Sequence, residues 1–189
     1  MPRKSIADLL VQADTTIADN TTGDISAGDV RDLLKDIIDT FKPGFVAVGN
    51  DLHTLVNLFT TPVVIPFDTL LAVTADFTAN LGAGTVTRNA LGLTSTNTRV
   101  TFYTDMATQD GSEVVFSLYR DGVNVPGGTT ASGRGLGNVV EASFEIINAQ
   151  PIAGDPAYEI RASKITGAAS NVELSNTRLI CEVVPTLGV

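Results

Sequence analysis

The segment Val140-Glu141-Ala142-Ser143-Phe144-Glu145-Ile146 alternates strictly between apolar and polar residues. Successive side chains of a β-strand point to opposite faces, so this pattern predicts a strand with one buried and one solvated face. Residues 158–163 alternate in the same way. Asp121-Gly122, between two apolar runs, is typical of a two-residue hairpin turn, because a type I′ turn needs positive φ at both positions. These features predict an antiparallel sheet.

From Pro62 onward every apolar run is of this kind. We predict strands at 63–67, 70–78, 85–88, 90–94, 99–104, 113–120, 123–125, 138–148, 158–165 and 172–184. A sandwich core needs about 100 residues, and this part of the chain is longer than that. We therefore predict a mainly β protein, with an antiparallel β-sandwich of the jelly-roll type over residues 62–189.

Before Pro62 the pattern is helical. Apolar residues recur at spacings of three and four in two short segments, each opened by a capping signal. They are Ile6, Leu9, Leu10, Ala13 and Ile17 in the first segment, and Val30, Leu33, Leu34, Ile37, Ile38 and Phe41 in the second. Lys42-Pro43-Gly44 ends the second helix, since proline cannot continue it. The sequence thus predicts a helical hairpin over residues 1–44, named here the anchor.

Residues 45–61 combine a helical and an extended pattern. Leu52, Leu55, Val56 and Phe59 again lie at helical spacing, although 45–48 looks extended. We interpret this stretch as a connector with about two turns of helix.

The apolar stripes of the anchor allow two interpretations. They could form an ordinary core against the β part, or dock onto another protein. Six large residues from Val30 to Phe41 each contribute ~1.5–3 kcal/mol when buried, which exceeds what the shorter first helix can cover. We therefore predict an attachment surface made of Ile6, Leu9, Leu10, Val30, Leu33, Leu34, Ile37 and Phe41.

The overall charge restricts the partners. The formal net charge is −9, whereas nucleic-acid binding demands a basic footprint. No apolar run approaches the ~18 residues of a membrane span, and Asp8 interrupts the segment where a signal peptide would need an apolar core. We predict a chain made in the cytoplasm that neither binds nucleic acid nor inserts into a membrane.

Residues for catalysis are scarce. Cys181 is the only cysteine, which excludes an intrachain disulfide, and its alternation with Leu179 and Val183 predicts a small buried side chain. His53 is the only histidine and has no obvious nucleophile beside it, which favours a structural or solvated role. We predict no catalytic residue and no cofactor.

Two loops invite comparison with ligand sites. Asp105, Asp110 and Glu113 carry the oxygens that calcium prefers, but their spacing does not match an EF-hand and Asp-Gly pairs are common in turns. The glycines of 133–137 resemble a dinucleotide fingerprint, yet no helix follows them. We predict no metal site, and we interpret Arg134 in this glycine loop as an outward contact residue.

The stretch Asn20–Phe41, with Asp24-Ile25-Ser26 before the helix and Arg31-Asp32-Leu33-Leu34 and Ile38-Asp39-Thr40-Phe41 within it, resembles a short module near the start of many tailed-phage structural proteins. The C-terminal part, with its Leu118–Gly122 hairpin, resembles the jelly-roll modules of phage fibres, which are related in shape to tumour-necrosis-factor-like domains.

This resemblance implies a homotrimeric, non-enzymatic virion component, such as a head fibre, a decoration protein or a neck or tail fibre. Its expected partners are copies of itself and capsid, portal, neck or tail proteins. The alternatives are a host-surface adhesin head and, from the enzyme class, a glycan depolymerase module.

Overall fold

Strands dominate the part of the chain that the structure describes. The structure, a computed structural model, describes residues 9, 11–13, 15, 27–41, 44–50, 54–89, 97–108, 111–132, 140–148, 155–165 and 168–184, without the side chains of 27, 38–41, 131, 132 and 148. Within these residues the mainly β prediction is confirmed.

One helix and twelve strands have defined bounds in the described residues. They are α1 Ala27–Phe41, β1 Phe45–Asn50, β2 Thr54–Leu58, β3 Val63–Val64, β4 Thr69–Val73, β5 Phe77–Asn80, β6 Thr85–Arg88, β7 Asn97–Thr108, β8 Val114–Arg120, β9 Val123–Ser132, β10 Val140–Asn148, β11 Ala157–Lys164 and β12 Ser170–Val184. Leu9, 11–13 and Thr15 are also helical, as expected for the first anchor helix.

The strands form two six-stranded sheets in which every pairing is antiparallel. Sheet A has the order β10-β7-β12-β1-β4, and β2 also pairs with β12. Sheet B has the order β5-β6-β11-β8-β9, and β3 also pairs with β11. Neighbours that are distant in sequence lie side by side in both sheets, which makes the sandwich a jelly roll.

The core lies between the two sheets and follows the alternation of the sequence. In β7 every second residue from Thr98 to Thr108 is buried. Phe102 of sheet A packs against Phe116 of sheet B with ring centroids 5.4 Å apart, and against Phe144 at 5.5 Å. Tilted aromatic pairs at this distance add to the stabilisation that comes from burial alone.

Several strand predictions agree with the structure closely. β6 has the predicted bounds, and β8, β10, β11 and β12 begin or end within two residues of theirs. The hairpin at Asp121-Gly122 is confirmed, with φ of 52° and 77° at the two positions. The predicted strand at 90–94 lies outside the described residues.

Three strand predictions need correction. The predicted strand 70–78 is two strands, because the chain turns at residues 74–76 and passes from sheet A to sheet B. The prediction for 63–67 shortens to β3, and that for 123–125 extends to Ser132 as β9. Pairing with neighbouring strands, which local sequence does not reveal, sets these bounds.

The connector prediction for 45–61 is wrong in its secondary structure. β1 lies between β12 and β4 inside sheet A, and β2 pairs with β12. Val56 and Leu58 are buried while Leu55 is exposed, so the period here is two and the helical spacing is a coincidence. Sheet A therefore begins at Phe45, whereas the separate anchor over 1–44 stays a prediction.

Gly44 joins the helical segment to the first strand in a tight polar contact. Its carbonyl accepts a hydrogen bond from Val183 N at 2.7 Å, and a Cβ atom at this position would overlap the buried carboxylate of Asp76. Phe45 N donates to Thr74 Oγ1 at 3.0 Å, which in turn lies 3.2 Å from Asp76 Oδ2. Only glycine leaves room for this approach.

Gly44→Ala should therefore destabilise the protein by about 1–3 kcal/mol, the usual cost of forcing extra atoms into a packed site. Gly82→Ala is the matched control, because nothing lies within 4 Å of its added methyl group. Urea unfolding followed by circular dichroism measures both. Equal stability of the two variants would contradict the contact described at Gly44.

Candidate interaction surfaces

Helix α1 is covered on one side only. Leu33 is 6 % exposed, whereas Leu34 is 52 % and Val30 41 % exposed. At 100° per residue, Leu34 and Val30 lie 40° apart, and Leu33 lies 60° beyond Val30 on the other side. The apolar stripe is thus divided into a covered flank at Leu33 and an open flank, defined here as Val30 and Leu34.

The covered flank does not face the core of the sandwich. Leu33 and Leu9 are both buried, yet neither belongs to the hydrophobic core cluster formed between the sheets. Among the described elements, no strand packs extensively on α1. Burial of these two leucines is what a helical hairpin predicts, because each short helix can cover one side of the other.

The structure describes only some of the remaining predicted attachment residues. Ile37 is half-buried, and the side chain of Phe41 is not among the described side chains. Ile6, Leu10 and Arg134 lie outside the described residues. The attachment surface therefore stays a prediction, with an open apolar flank on α1 as its described part.

Sequence analysis missed a second apolar surface, which belongs to sheet A. Of the exposed large apolar residues that the structure describes, most lie in sheet A or directly after one of its strands: Phe45, Leu55, Phe59, Leu70, Leu71, Val73, Tyr103 and Ile147. Sheet B and the residues next to it contribute Val123 and Ile165. Doublets such as Leu70-Leu71 and Ile146-Ile147 were the available signal, because a doublet in an alternating strand puts one apolar side chain outside.

Of these residues, Phe45, Leu55, Tyr103 and Ile147 lie on the outer face of sheet A, among ordered charges. Leu70 and Val73 pair with the buried Val48 and Val46, so they belong to the inner side of the edge strand β4. Arg178 lies across Gly49, where a Cβ would meet its side chain, and donates to Asn50 O at 3.1 Å. Tyr103 is the cross-strand partner of Arg178 on the same face. Beside the start of β1, Arg99 lies 3.6 Å from Glu145 and 3.4 Å from Glu182. A face that combines exposed apolar side chains with fixed polar groups has the mixed composition found at many protein interfaces.

The outer face of sheet B is polar. Arg161 stacks on the ring of Tyr119 at 4.3 Å and pairs with Glu159 in its own strand. Ser117 and Thr129 face each other across β8 and β9, with their hydroxyl oxygens 3.3 Å apart. The two outer faces therefore differ: that of sheet A carries exposed large apolar side chains among its charges, whereas the described contacts on sheet B are polar.

The residues considered for chemistry form no catalytic cluster in the described part. Asp105 accepts a hydrogen bond from Asn176 Nδ2 at 2.6 Å, which gives its carboxylate a structural role in the sheet. His53 and Asp110 lie outside the described residues. No group of three or more metal-ligating side chains occurs among the described residues.

No helix in the described residues has the length and apolar character needed to cross a membrane.

Cys181 lies fully buried in β12, as predicted. Burial raises the pKa of its thiol far above the ordinary value, and the negative charge of Glu182 raises it further. The thiol therefore keeps its proton in the folded protein and is a poor nucleophile.

Comparison with solved structures identifies the type of jelly roll. Murine APRIL at pH 5.0 is similar with a TM-score of 0.54 and 8 % identity, over 76 % of this chain and 100 % of that one. The globular domain of zebrafish complement 1qA aligns at 0.48, with 10 % identity over 74 % and 94 % of the chains. The PRD1 vertex protein P5 aligns at 0.46, with 11 % identity over 76 % and 96 %.

The chain has a jelly-roll fold like that of murine APRIL, in agreement with the predicted tumour-necrosis-factor-like jelly roll. At this level of identity the likeness concerns the fold alone, and the two alignments below 0.5 support no inference about function. No protein-family model matches the chain, and no curated protein sequence matches it.

The buried thiol predicts a specific dependence of stability on pH. Above about pH 8.5 the unfolded thiol ionises while the folded one keeps its proton. The unfolded state then binds fewer protons, so Cys181 makes stability fall as pH rises, by up to about 1.4 kcal/mol per pH unit. Cys181→Ala lacks this contribution, and its stability relative to the wild type should improve between pH 8 and pH 10.

Urea unfolding at a series of pH values measures both proteins, and groups that they share cancel in the difference. A difference that stays constant across this range would contradict the buried, protonated thiol.

Proposed function

We propose that this protein is a non-enzymatic structural component of a tailed-phage virion, held on the particle by its N-terminal helices and displaying its jelly roll as a trimer. The observation that carries the proposal is the open flank of α1. Two large apolar side chains, Val30 and Leu34, stand in solvent on a helix whose other flank is already covered.

The energetics of this flank favour a protein partner. Burying the exposed part of two such side chains gives on the order of 1–3 kcal/mol, which adds to whatever the remaining stripe contributes. An amphipathic helix that lays its apolar face into a groove is a common mode of recognition between proteins. The resemblance of Asn20–Phe41 to a module of phage structural proteins supports a virion protein as this partner.

The apolar character of sheet A supports self-association. Phe45, Leu55, Tyr103 and Ile147 are exposed on the outer face of sheet A, one each on β1, β2, β7 and β10. The outer face of sheet B is polar and internally paired. A closed oligomer that buries the outer face of sheet A would remove these side chains from water and leave sheet B exposed. Three copies are the expected number from the resemblance to trimeric fibre modules.

The attachment hypothesis predicts that Leu34→Asp with Ile37→Asp removes the protein from particles. Each substitution puts a carboxylate into the apolar stripe, where burial without a partner is costly. The variant phage is grown, its virions are purified, and the chain is quantified by immunoblot. We expect the sandwich to stay folded and the chain to be lost from virions.

The control adds the same charge to the exposed end of β9, with Val123→Asp and Asn124→Asp. This variant should remain on the particle. If virions retain the Leu34→Asp/Ile37→Asp chain at wild-type level, the attachment hypothesis is refuted.

The trimer hypothesis predicts that Tyr103→Glu with Ile147→Glu gives a smaller species. Both positions lie exposed on the outer face of sheet A, next to the exposed carboxylates of Glu141 and Glu145. Sedimentation equilibrium of the purified wild type should give three copies, and the variant should give one. Val123→Glu with Thr129→Glu on sheet B is the matched control and should stay trimeric; a monomeric wild type would refute the assignment.

A further inference from the structure

We infer that the site on the particle that receives α1 has a carboxylate group beside its apolar pocket, and that this carboxylate pairs with Arg31. The inference rests on the proposed attachment through α1 and adds the chemistry of the partner surface. Arg31 follows Val30 directly and lies within one turn of Leu34, so its guanidinium borders the open flank.

Arg31 differs from the other basic residues of the described structure. It is exposed and forms no ion pair or hydrogen bond with any described residue. The other described basic side chains are engaged or buried: Lys35 with Asp32, Arg99 with Glu145 and Glu182, Arg120 with Asp121, Arg161 with Glu159, Arg178 with Asn50 O, and Arg88 and Lys164 in the interior.

The distribution of charge on α1 points in the same direction. At 100° per residue, Asp29, Asp32 and Asp36 lie between 200° and 260° from Val30, on the side away from the open flank. Arg31 lies at 100°, next to Leu34 at 40°. The open flank is therefore apolar with a basic border, in a protein whose net charge is −9.

A protein carboxylate fits this border better than a phosphate surface. Nucleic acid and anionic membranes attract clusters of basic residues, and one free arginine on a helix that carries four aspartates, Asp39 included, supplies little attraction. A single arginine beside an aliphatic anchor is, by contrast, a frequent arrangement at protein interfaces, where the planar guanidinium pairs with a carboxylate in a bidentate geometry.

The test uses the full-length chain and particles purified from a phage that lacks it. Arg31→Glu should weaken co-sedimentation by about tenfold or more, because it places a like charge against the carboxylate. Arg31→Gln should weaken it less and should also make binding less sensitive to NaCl, since a screened charge pair is lost. Arg120→Glu in the Asp121-Gly122 hairpin is the matched charge reversal and should bind like the wild type.

The outcomes separate this inference from the proposed function. If Leu34→Asp/Ile37→Asp detaches the chain while Arg31→Glu binds normally, attachment through α1 stands and the carboxylate is refuted. If both variants bind like the wild type, the proposed function fails together with the inference. Vesicles with about 30 % anionic lipid, a composition on the order of that of anionic membranes, provide a further test. If the wild type binds them and Arg31→Glu does not, the inference that the partner is a protein is overturned.

Discussion

The fold depends on one strand. β12 runs for fifteen residues and pairs with β7 along one edge and with both β1 and β2 along the other. Val172 and Leu174 are buried, as is every second residue from Thr177 to Val183, so the same strand also supplies a large share of the core. Because β12 is the last strand and β1 the first, sheet A closes only when the ends of the sandwich meet. Such non-local pairing makes the folding of β-sandwiches slow compared with helical proteins.

This central strand also contains an irregularity that the sheet absorbs. The register between β12 and β7 shifts between Ser175 and Arg178, where Asn176 adopts a φ of 50°. Thr177 then turns inward and its hydroxyl lies 2.8 Å from that of Thr104 in the interior. A buried hydrogen bond between two hydroxyls satisfies polar groups that would otherwise be costly to bury. The bulge thus allows a long strand to follow the curvature of the sandwich without losing its core.

Alternation explains what the sequence could predict and what it could not. It predicts β6, β10 and β11 well, because polar and apolar residues alternate along most of each strand. It fails for β1 and β2, whose strand conformation comes from pairing with β12 more than a hundred residues away. The sequence also could not predict the division of the apolar stripe on α1 into a covered and an open flank. Periodicity identifies the apolar side of a helix, but it does not show which part of that side another helix covers.

The outer face of sheet A was missed for a related reason. Periodicity predicts which face of a strand is buried. An apolar residue on the other face has no evident role when each strand is considered alone. Only the register puts Phe45 and Ile147 in one row, with Glu182 and Arg99 between them, and Ala47 beside Ile180 in the next row. A surface is a property of the assembled sheet, and its chemistry becomes visible only once strand order is known.

The open flank of α1 and the outer face of sheet A lie close together along the chain. α1 ends at Phe41 and β1 begins at Phe45, so only three residues separate the helix from the apolar sheet. Gly44 lies between them with its carbonyl bonded to β12 and its Cα against Asp76, which fixes the point where the chain leaves the sandwich. Because α1 joins the sandwich near this fixed point, it can present the same flank in every copy. If the outer face of sheet A is buried between copies, the helices emerge beside that interface, and several weak helical contacts can act together. Binding through several linked copies strengthens attachment without requiring a large surface on any one helix.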